Sequence, residues 1–181
     1  MIEIRWHGRG GQGAVTSVEL LALAAIGEGK YAQGFPSFGP ERRGAPVAAF
    51  NRVDSQRIRI RSGIYHPDVV VVLDEGLIGL VNLTEGLKPD GKLIVNTAKT
   101  AAEIKKILNY SGSVAVVDAT EIAWEELGVP ITNTTMLGAL VKVTGVVDLD
   151  SLKEPVERRF GRIALKNLMA LKRAYDKVKV K

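Results

Sequence analysis

No cysteine occurs among the 181 residues. The chain therefore forms no disulfide and offers no thiolate to zinc or iron–sulfur, so any redox metal has to sit on a partner. Aromatic residues make up only 6%, and no nucleic-acid-binding module is recognisable. The net charge of +5 then fits an anionic cofactor or an acidic partner subunit as well as it fits nucleic acid. No apolar run approaches the length that spans a bilayer. The amino end enters a strand pattern directly, without the charged-then-apolar signature of a signal sequence. Repeats, low-complexity stretches and linkers are also missing. These absences lead us to expect a soluble, cytoplasmic protein with neither membrane nor nucleic acid as partner. Residues 1–181 should form one domain, long enough to bury a large core.

What is present is concentrated near the start. Gly8-Arg9-Gly10-Gly11-Gln12-Gly13 follows the strand-like run Ile2 to Trp6 and precedes the helix-like run Ala14 to Ile26. Glycines in such a turn let a ligand approach the main chain closely. The helix behind it directs unpaired N–H groups and a positive dipole end at whatever occupies the turn, which favours phosphate. The spacing fits the dinucleotide fingerprint G-x-G-x-x-G in its strand-before, helix-after setting. A dehydrogenase would add an acidic residue about 20 residues further on to hold the ribose. Here Gly29 to Pro36 contains none, and Ser37 to Pro46 is basic and rich in turn formers. The loop points to phosphate; the missing acid argues against ordinary NAD binding.

Downstream, strands and helices alternate. Pro46–Val53 and Arg57–Ser62 read as a hairpin around Asp54-Ser55-Gln56, its second arm carrying Arg57, Arg59 and Arg61 on one face. Asp68 to Leu73 is an unbroken β-branched run, as expected of a parallel strand buried on both faces. Asp74 and Glu75 then open a helix. Lys92–Asn96 and Val114–Val117 are further strands. Thr100 with Glu103 forms a capping-box pattern ahead of a helix expected to bury Ile104, Ile107 and Leu108. Asp118 caps a helix ending at Gly128, and Thr132–Val143 is a helix stopped by Gly145. In the tail, Leu149, Leu152, Val156 and Phe160 are helically spaced, with Pro155 expected to kink or delay that helix. A last helix packs through Ala164, Leu168, Leu171, Tyr175 and Val178. The expected fold is α/β: a doubly wound, mostly parallel Rossmann-like sheet with helices on both faces and a β-hairpin extension.

Arg9 can reach an anion held in the glycine turn, or serve as a solvated loop charge. Arg42 and Arg43 stand between Pro40, Gly44 and Pro46, a constrained setting suited to gripping phosphate or a partner carboxylate bidentately. Arg57, Arg59 and Arg61 suit a sheet edge or a partner surface better than a ligand. His7 and His66 lack a second metal ligand at suitable spacing. Ser37 lacks a histidine–acid arrangement, so nucleophilic catalysis finds no support. Asp74, Asn96 and Asp118 fall at strand carboxyl ends, where open α/β sheets form their ligand crevice, yet each is also a natural helix cap. No complete catalytic constellation emerges.

Arg5-Trp6-His7 with the glycine turn, Phe35 to Pro46, Asn51-Arg52-Val53, Ile58 to Arg61, Pro67 to Asp74, Val117 to Thr120 and Ile131 to Thr134 together resemble the gamma subunits of 2-oxoacid:ferredoxin oxidoreductases. Arg43-Gly44-Ala45-Pro46 favours the pyruvate/2-ketoisovalerate type. The resemblance implies a subunit of an enzyme that converts a 2-oxoacid and coenzyme A into acyl-coenzyme A and carbon dioxide, passing electrons to ferredoxin. It implies alpha, beta and delta partner subunits carrying thiamine diphosphate, magnesium and iron–sulfur clusters, with nothing tightly bound by this chain alone. Its coenzyme A contacts would fall on Gly8, Arg9, Gly10, Gly11, Gln12 and Gly13 and on Ser37, Arg42 and Arg43; Asn96, at a strand carboxyl end, is a further candidate for the same ligand. The alternatives are a stand-alone NAD(P)-binding oxidoreductase and a purely structural scaffold subunit.

Overall fold

The computed structural model describes residues 1–37 and 44–181. In chain order its elements are β1 (Ile2–Arg9), α1 (Ala14–Gly27), β2 (Tyr31–Pro36), β3 (Pro46–Asp54), β4 (Val69–Val72), β5 (Lys92–Asn96), α2 (Ala101–Leu108), β6 (Ser113–Val117), α3 (Ala119–Leu127), α4 (Asn133–Thr144), α5 (Lys153–Phe160), α6 (Ala164–Lys177) and β7 (Lys179–Val180). The β-branched runs build the middle of the sheet. Strands β1, β4, β5 and β6 lie parallel and adjacent, within a seven-stranded order β2-β3-β1-β4-β5-β6-β7. Antiparallel strands complete both edges.

Side chains alternate across a strand, so each central strand feeds two cores. Ile4, Trp6, Val69, Val71, Ile94 and Ala115 face α1, α4 and α6. Val70, Val72, Leu93, Val95, Val114 and Val116 face Ile104 and Ala101 of α2 on the opposite side. The four valines of β4 are all buried, which is why that stretch reads as continuous rather than alternating hydrophobicity. The fold is thus α/β, with helices on both faces and an antiparallel extension.

Three local expectations change. The extension is made by β2 with β3, while residues 57–62 form no strand. Both edges of β3 are already paired, to β1 and to β2, so the arginine-bearing segment cannot pair with β3 as the second arm of a hairpin. Asp74 caps a single 3₁₀ turn, Glu75–Leu77, rather than a full helix. Ile107 is 51% exposed. Helix α2 has only eight residues and meets the sheet through the narrow stripe Ala101, Ile104 and Leu108, which excludes Ile107. Other signals hold as read. The Thr100–Glu103 capping box forms, Gly145 closes α4 in the left-handed region, and Pro155 lies in the first turn of α5, delayed by a 3₁₀ turn at Leu149–Leu152.

Helix α4 is buried from Asn133 to Val141 and crosses α6 at very close range. A Cβ on Gly138 would collide with the Leu171 carbonyl. Backbone cannot yield as a side-chain tip can, so Gly138→Ala should cost about 3 kcal/mol or slightly more through overpacking. Urea unfolding of the variant checks this. A midpoint within error of the parent would mean that the two helices can part without penalty.

Candidate functional site

From β1 the chain turns back towards β2 and β3, whereas from β4 it proceeds to β5 and β6. The carboxyl ends of β1 and β4 therefore flank a topological switch point, where open α/β sheets bind ligands. The glycine turn sits there. Gly8 and Arg9 still belong to β1, and the turn proper is residues 10–13. Gly10 pairs with the far side of the loop, donating to Ala45 O at 2.9 Å and accepting from Gly44 N at 3.0 Å. Gly13 starts α1 at φ +84°, with no side-chain cap and no acidic residue in the first turn. That conformation strains any residue with a side chain, and the space is taken as well: a Cβ would meet Asn133 Nδ2 at 2.5 Å.

Asn133 opens α4 directly above this turn and is 4% exposed. Its carbonyl oxygen accepts from Thr134 N at 2.8 Å, while its amide nitrogen has no hydrogen-bond acceptor among the described residues. The backbone carbonyl of Asn133 accepts from Ser17 Oγ at 3.2 Å, joining the first turns of α1 and α4. Thr134 Oγ1 extends the seam to Asn167 of α6 at 2.7 Å. Two uncapped helix ends and one side-chain amide thus converge on residues 10–13.

Across the switch point lies Asp74, at the end of β4. It accepts from Gln12 Nε2 at 2.7 Å, Arg9 Nε at 3.0 Å and Gly76 N at 2.8 Å. Burial pushes this carboxyl up, but the bonds from Gln12 and Gly76 and the charge of Arg9 together hold it below its ordinary value. Arg9 is braced by its own chain, since it also donates to Gly44 O at 3.2 Å and Gly76 O at 3.0 Å, although two of its five N–H groups take no partner among the described residues. Gln12 is equally committed, its Oε1 accepting from Arg9 N at 2.7 Å. Both side chains shape the turn rather than extend from it.

Beside this bridge opens a crevice of about 430 Å³, lined by Asp74, Glu75, Asn96, Asp118, Thr120 and Thr132 among others. Lys99 and Thr97 hold the Glu75 carboxyl below its usual range by hydrogen bonding. Asn96 ties three elements, donating to Leu73 O and Thr120 Oγ1, each at 2.9 Å, and accepting from Thr120 N at 3.2 Å. Asp118 caps α3 through Glu121 N at 2.8 Å. The crevice is acidic and rich in hydroxyls, and the donors lie on the glycine side.

Of the residues singled out from sequence, the structure brings Gly10 to Gly13, Arg9 and Asn96 to one sheet end. Ser37 is exposed at the end of β2, its N–H donating to Ala48 O at 2.8 Å. Arg42 and Arg43 lie outside the described residues. Among the described residues no group of His, Asp and Glu could hold a metal ion. Asn133 and Thr132 were not singled out as ligand groups. A run of four polar residues, Thr132 to Thr135, opening an otherwise apolar helix was the available signal.

His7 lies on β1 between Ala48 and Val72, with its Nε2 buried and unpartnered among the described residues. Burial, and then the Arg5 guanidinium, lower its pKa to about 4. A depressed folded-state pKa gives stability that is complete above the unfolded value, near 6.5, and lost as pH falls from there towards 4. The slope attributable to one group is at most about 1.4 kcal/mol per pH unit. His7→Gln should flatten unfolding free energy against pH in that window. An unchanged slope would mean that the imidazole is hydrated in the folded chain.

Residues 3–177 match the family model for pyruvate ferredoxin/flavodoxin oxidoreductase. The pyruvate/ketoisovalerate oxidoreductases common subunit gamma of Pyrococcus furiosus is 54% identical over 182 residues, covering 99% of this chain and 98% of the relative. The crystal structure of pyruvate oxidoreductase subunit PORC from Thermotoga maritima superposes with a TM-score of 0.89 at 44% identity, covering 99% of this chain and 98% of that one. A likeness of fold alone, with a TM-score of 0.80 at 21% identity, links 97% of the chain to 30% of the 2-oxoglutarate:ferredoxin oxidoreductase from Magnetococcus marinus, solved with 2-oxoglutarate, coenzyme A and succinyl-CoA bound. The chain belongs to the pyruvate ferredoxin/flavodoxin oxidoreductase family, among the gamma subunits of its pyruvate/ketoisovalerate type.

Proposed function

We propose that this chain, acting as one gamma-type domain over residues 1–181 in the cytoplasm, receives coenzyme A for a pyruvate or 2-ketoisovalerate:ferredoxin oxidoreductase. The whole enzyme converts the 2-oxoacid and coenzyme A to acyl-coenzyme A, carbon dioxide and reduced ferredoxin. Alpha, beta and delta partners carry thiamine diphosphate, magnesium and the iron–sulfur clusters; this chain has no cysteine with which to ligate a cluster. The observation that carries the reading is the Asn133 amide, without an acceptor among the described residues, packed beside the uncapped amino end of α1.

Charge decides which part of the coenzyme goes where. A phosphate about 4 Å from a carboxylate costs on the order of 1–4 kcal/mol, depending on how much water separates them. Asp74 and Glu75 are paired with Arg9 and Lys99, but Asp118 has no ion pair among the described residues and repels phosphate from the crevice, whereas the glycine turn offers amides and a positive dipole end. Phosphate belongs at residues 10–13 beneath Asn133, with uncharged parts of the coenzyme towards Asn96 and Thr132. Arg9 and Gln12 position the turn, and in this reading Ser37, Arg42 and Arg43 add further contacts to coenzyme A. A stand-alone NAD(P) enzyme is disfavoured. The neighbour of β1 away from β4 is antiparallel β3, so the parallel strand that would end in a ribose-binding acid is missing.

Loss of one hydrogen bond to a charged group costs about 1.5–3 kcal/mol, roughly a tenfold to hundredfold loss of affinity. In the assembled enzyme, Asn133→Ala should raise KM for coenzyme A by that factor and leave KM for the 2-oxoacid nearly unchanged. Removing Arg42 and Arg43 together should reduce discrimination between coenzyme A and its dephospho form. If KM for coenzyme A does not respond to Asn133→Ala, phosphate binds elsewhere and the chain is a scaffold.

A further inference from the structure

Strand β2 is one edge of the sheet, and its outer side has no neighbouring strand among the described residues. Ser37 donates inward to Ala48 O of β3, so the backbone groups of Tyr31, Gln33 and Phe35 also point inward. By the alternation of an antiparallel ladder, those of Ala32 and Gly34 point out. Tyr31 to Pro36 contains no charged residue. Natural edges are commonly blunted by charge, bulges or proline; here Pro36 alone does so, at one end.

The segment that carries Arg57, Arg59 and Arg61 runs close to this edge, over the sheet face where Gln33 of β2 and Arg52 of β3 are paired. Buried Arg52, 1% exposed, pairs with Glu3 at 2.8 Å. It donates to Ser62 O at 2.8 Å and Gly63 O at 3.0 Å. Gln33 of β2 donates to Ile60 O at 3.1 Å. The segment is thus pinned by its carbonyls, and all three arginine side chains are exposed. None of them makes an ion pair among the described residues. Tyr31 and Ile60 are also exposed, at 48% and 43%.

We propose that an acidic, extended segment of another subunit adds to the β2 edge. Its main chain pairs with Ala32 and Gly34, and its carboxylates meet Arg57, Arg59 and Arg61. The two features require one occupant: edge amides and carbonyls ask for a peptide main chain, and the arginines ask for acidic side chains on it. A nucleic acid satisfies the second demand and not the first. A second copy of this chain would bring two arginine rows together in a molecule of net charge +5. The proposal rests on the chain working as a subunit and is independent of where coenzyme A binds.

The test uses the co-expressed multi-subunit enzyme. Arg57→Glu with Arg61→Glu should weaken retention of this chain at about 0.1 M salt by tenfold or more, and the gap to the parent should narrow at about 1 M as screening removes the charge term. Ala32→Pro, which deletes an outward donor, should weaken retention at both salt concentrations. The melting temperature of each free variant separates interface loss from unfolding, with Arg57→Gln and Arg61→Gln as milder substitutes if a reversal fails to fold. Because the chain lacks cysteine, Tyr31→Cys provides a single attachment point for a photo-crosslinker. Mass spectrometry should find it joined to a peptide of another subunit rich in Asp and Glu. Undiminished retention of the folded arginine variants at low salt overturns the proposal, as does a crosslink to a second copy or to a peptide without acidic residues. Retention variants should leave KM for coenzyme A unchanged in whatever complex forms, which keeps this outcome separate from that of Asn133→Ala.

Discussion

Asp74 and the two side chains that reach it from the glycine turn hold the site together. The sheet splits its connections between β1 and β4, so nothing in the ladder itself fixes the loop after β1 relative to the loop after β4. The Arg9 and Gln12 bonds to one carboxylate oxygen supply that link. Arg9 reinforces it at Gly76, in the turn that Asp74 caps, and carries it on to Gly44, in one further loop. A charged residue at this place would serve an anionic ligand if it were free. Here its charge is balanced inside the protein, and the other donors at the turn are neutral: helix amides and the Asn133 side chain.

That division has a physical logic. A phosphate held by backbone amides and one side-chain amide needs no desolvated cation, whose burial is costly unless paired. The cost is shifted to packing. Gly13 must stay glycine both for its backbone angle and for the room taken by Asn133, and Asn133 is placed by α4, which is buried nearly all round. The approach of α4 to α6 at Gly138 therefore reaches the site through rigid helices, although Gly138 itself touches no ligand group.

Arginine is used in two opposite ways along the extension. Arg52 is buried and fully engaged, joining β1 to the segment after β3. Arg57, Arg59 and Arg61 stand in solvent next to an uncharged edge. The same residue type acts as an internal brace in one case and as an unanswered positive row in the other. Only burial and partners distinguish them, because the residue type is the same in both places.

Much was legible in the residues themselves. The turn after β1, the doubly buried run Val69–Val72, the capping box at Thr100 and the stop at Gly145 each follow from local physics: special backbone angles, period-two burial and helix-end hydrogen bonding. Those effects act over a few residues, so sequence determined them alone. The arms of the antiparallel extension were decided by competition for the two edges of β3, which depends on where β1 and β2 come to lie. The role of Arg9 was decided by Asp74, 65 residues away, and the candidate role of Asn133 by a helix that returns over the turn from more than 100 residues downstream. Sequence specified which groups could hold an anion. Only the tertiary structure determined which remain unpaired, because pairing depends on distance in space rather than along the chain.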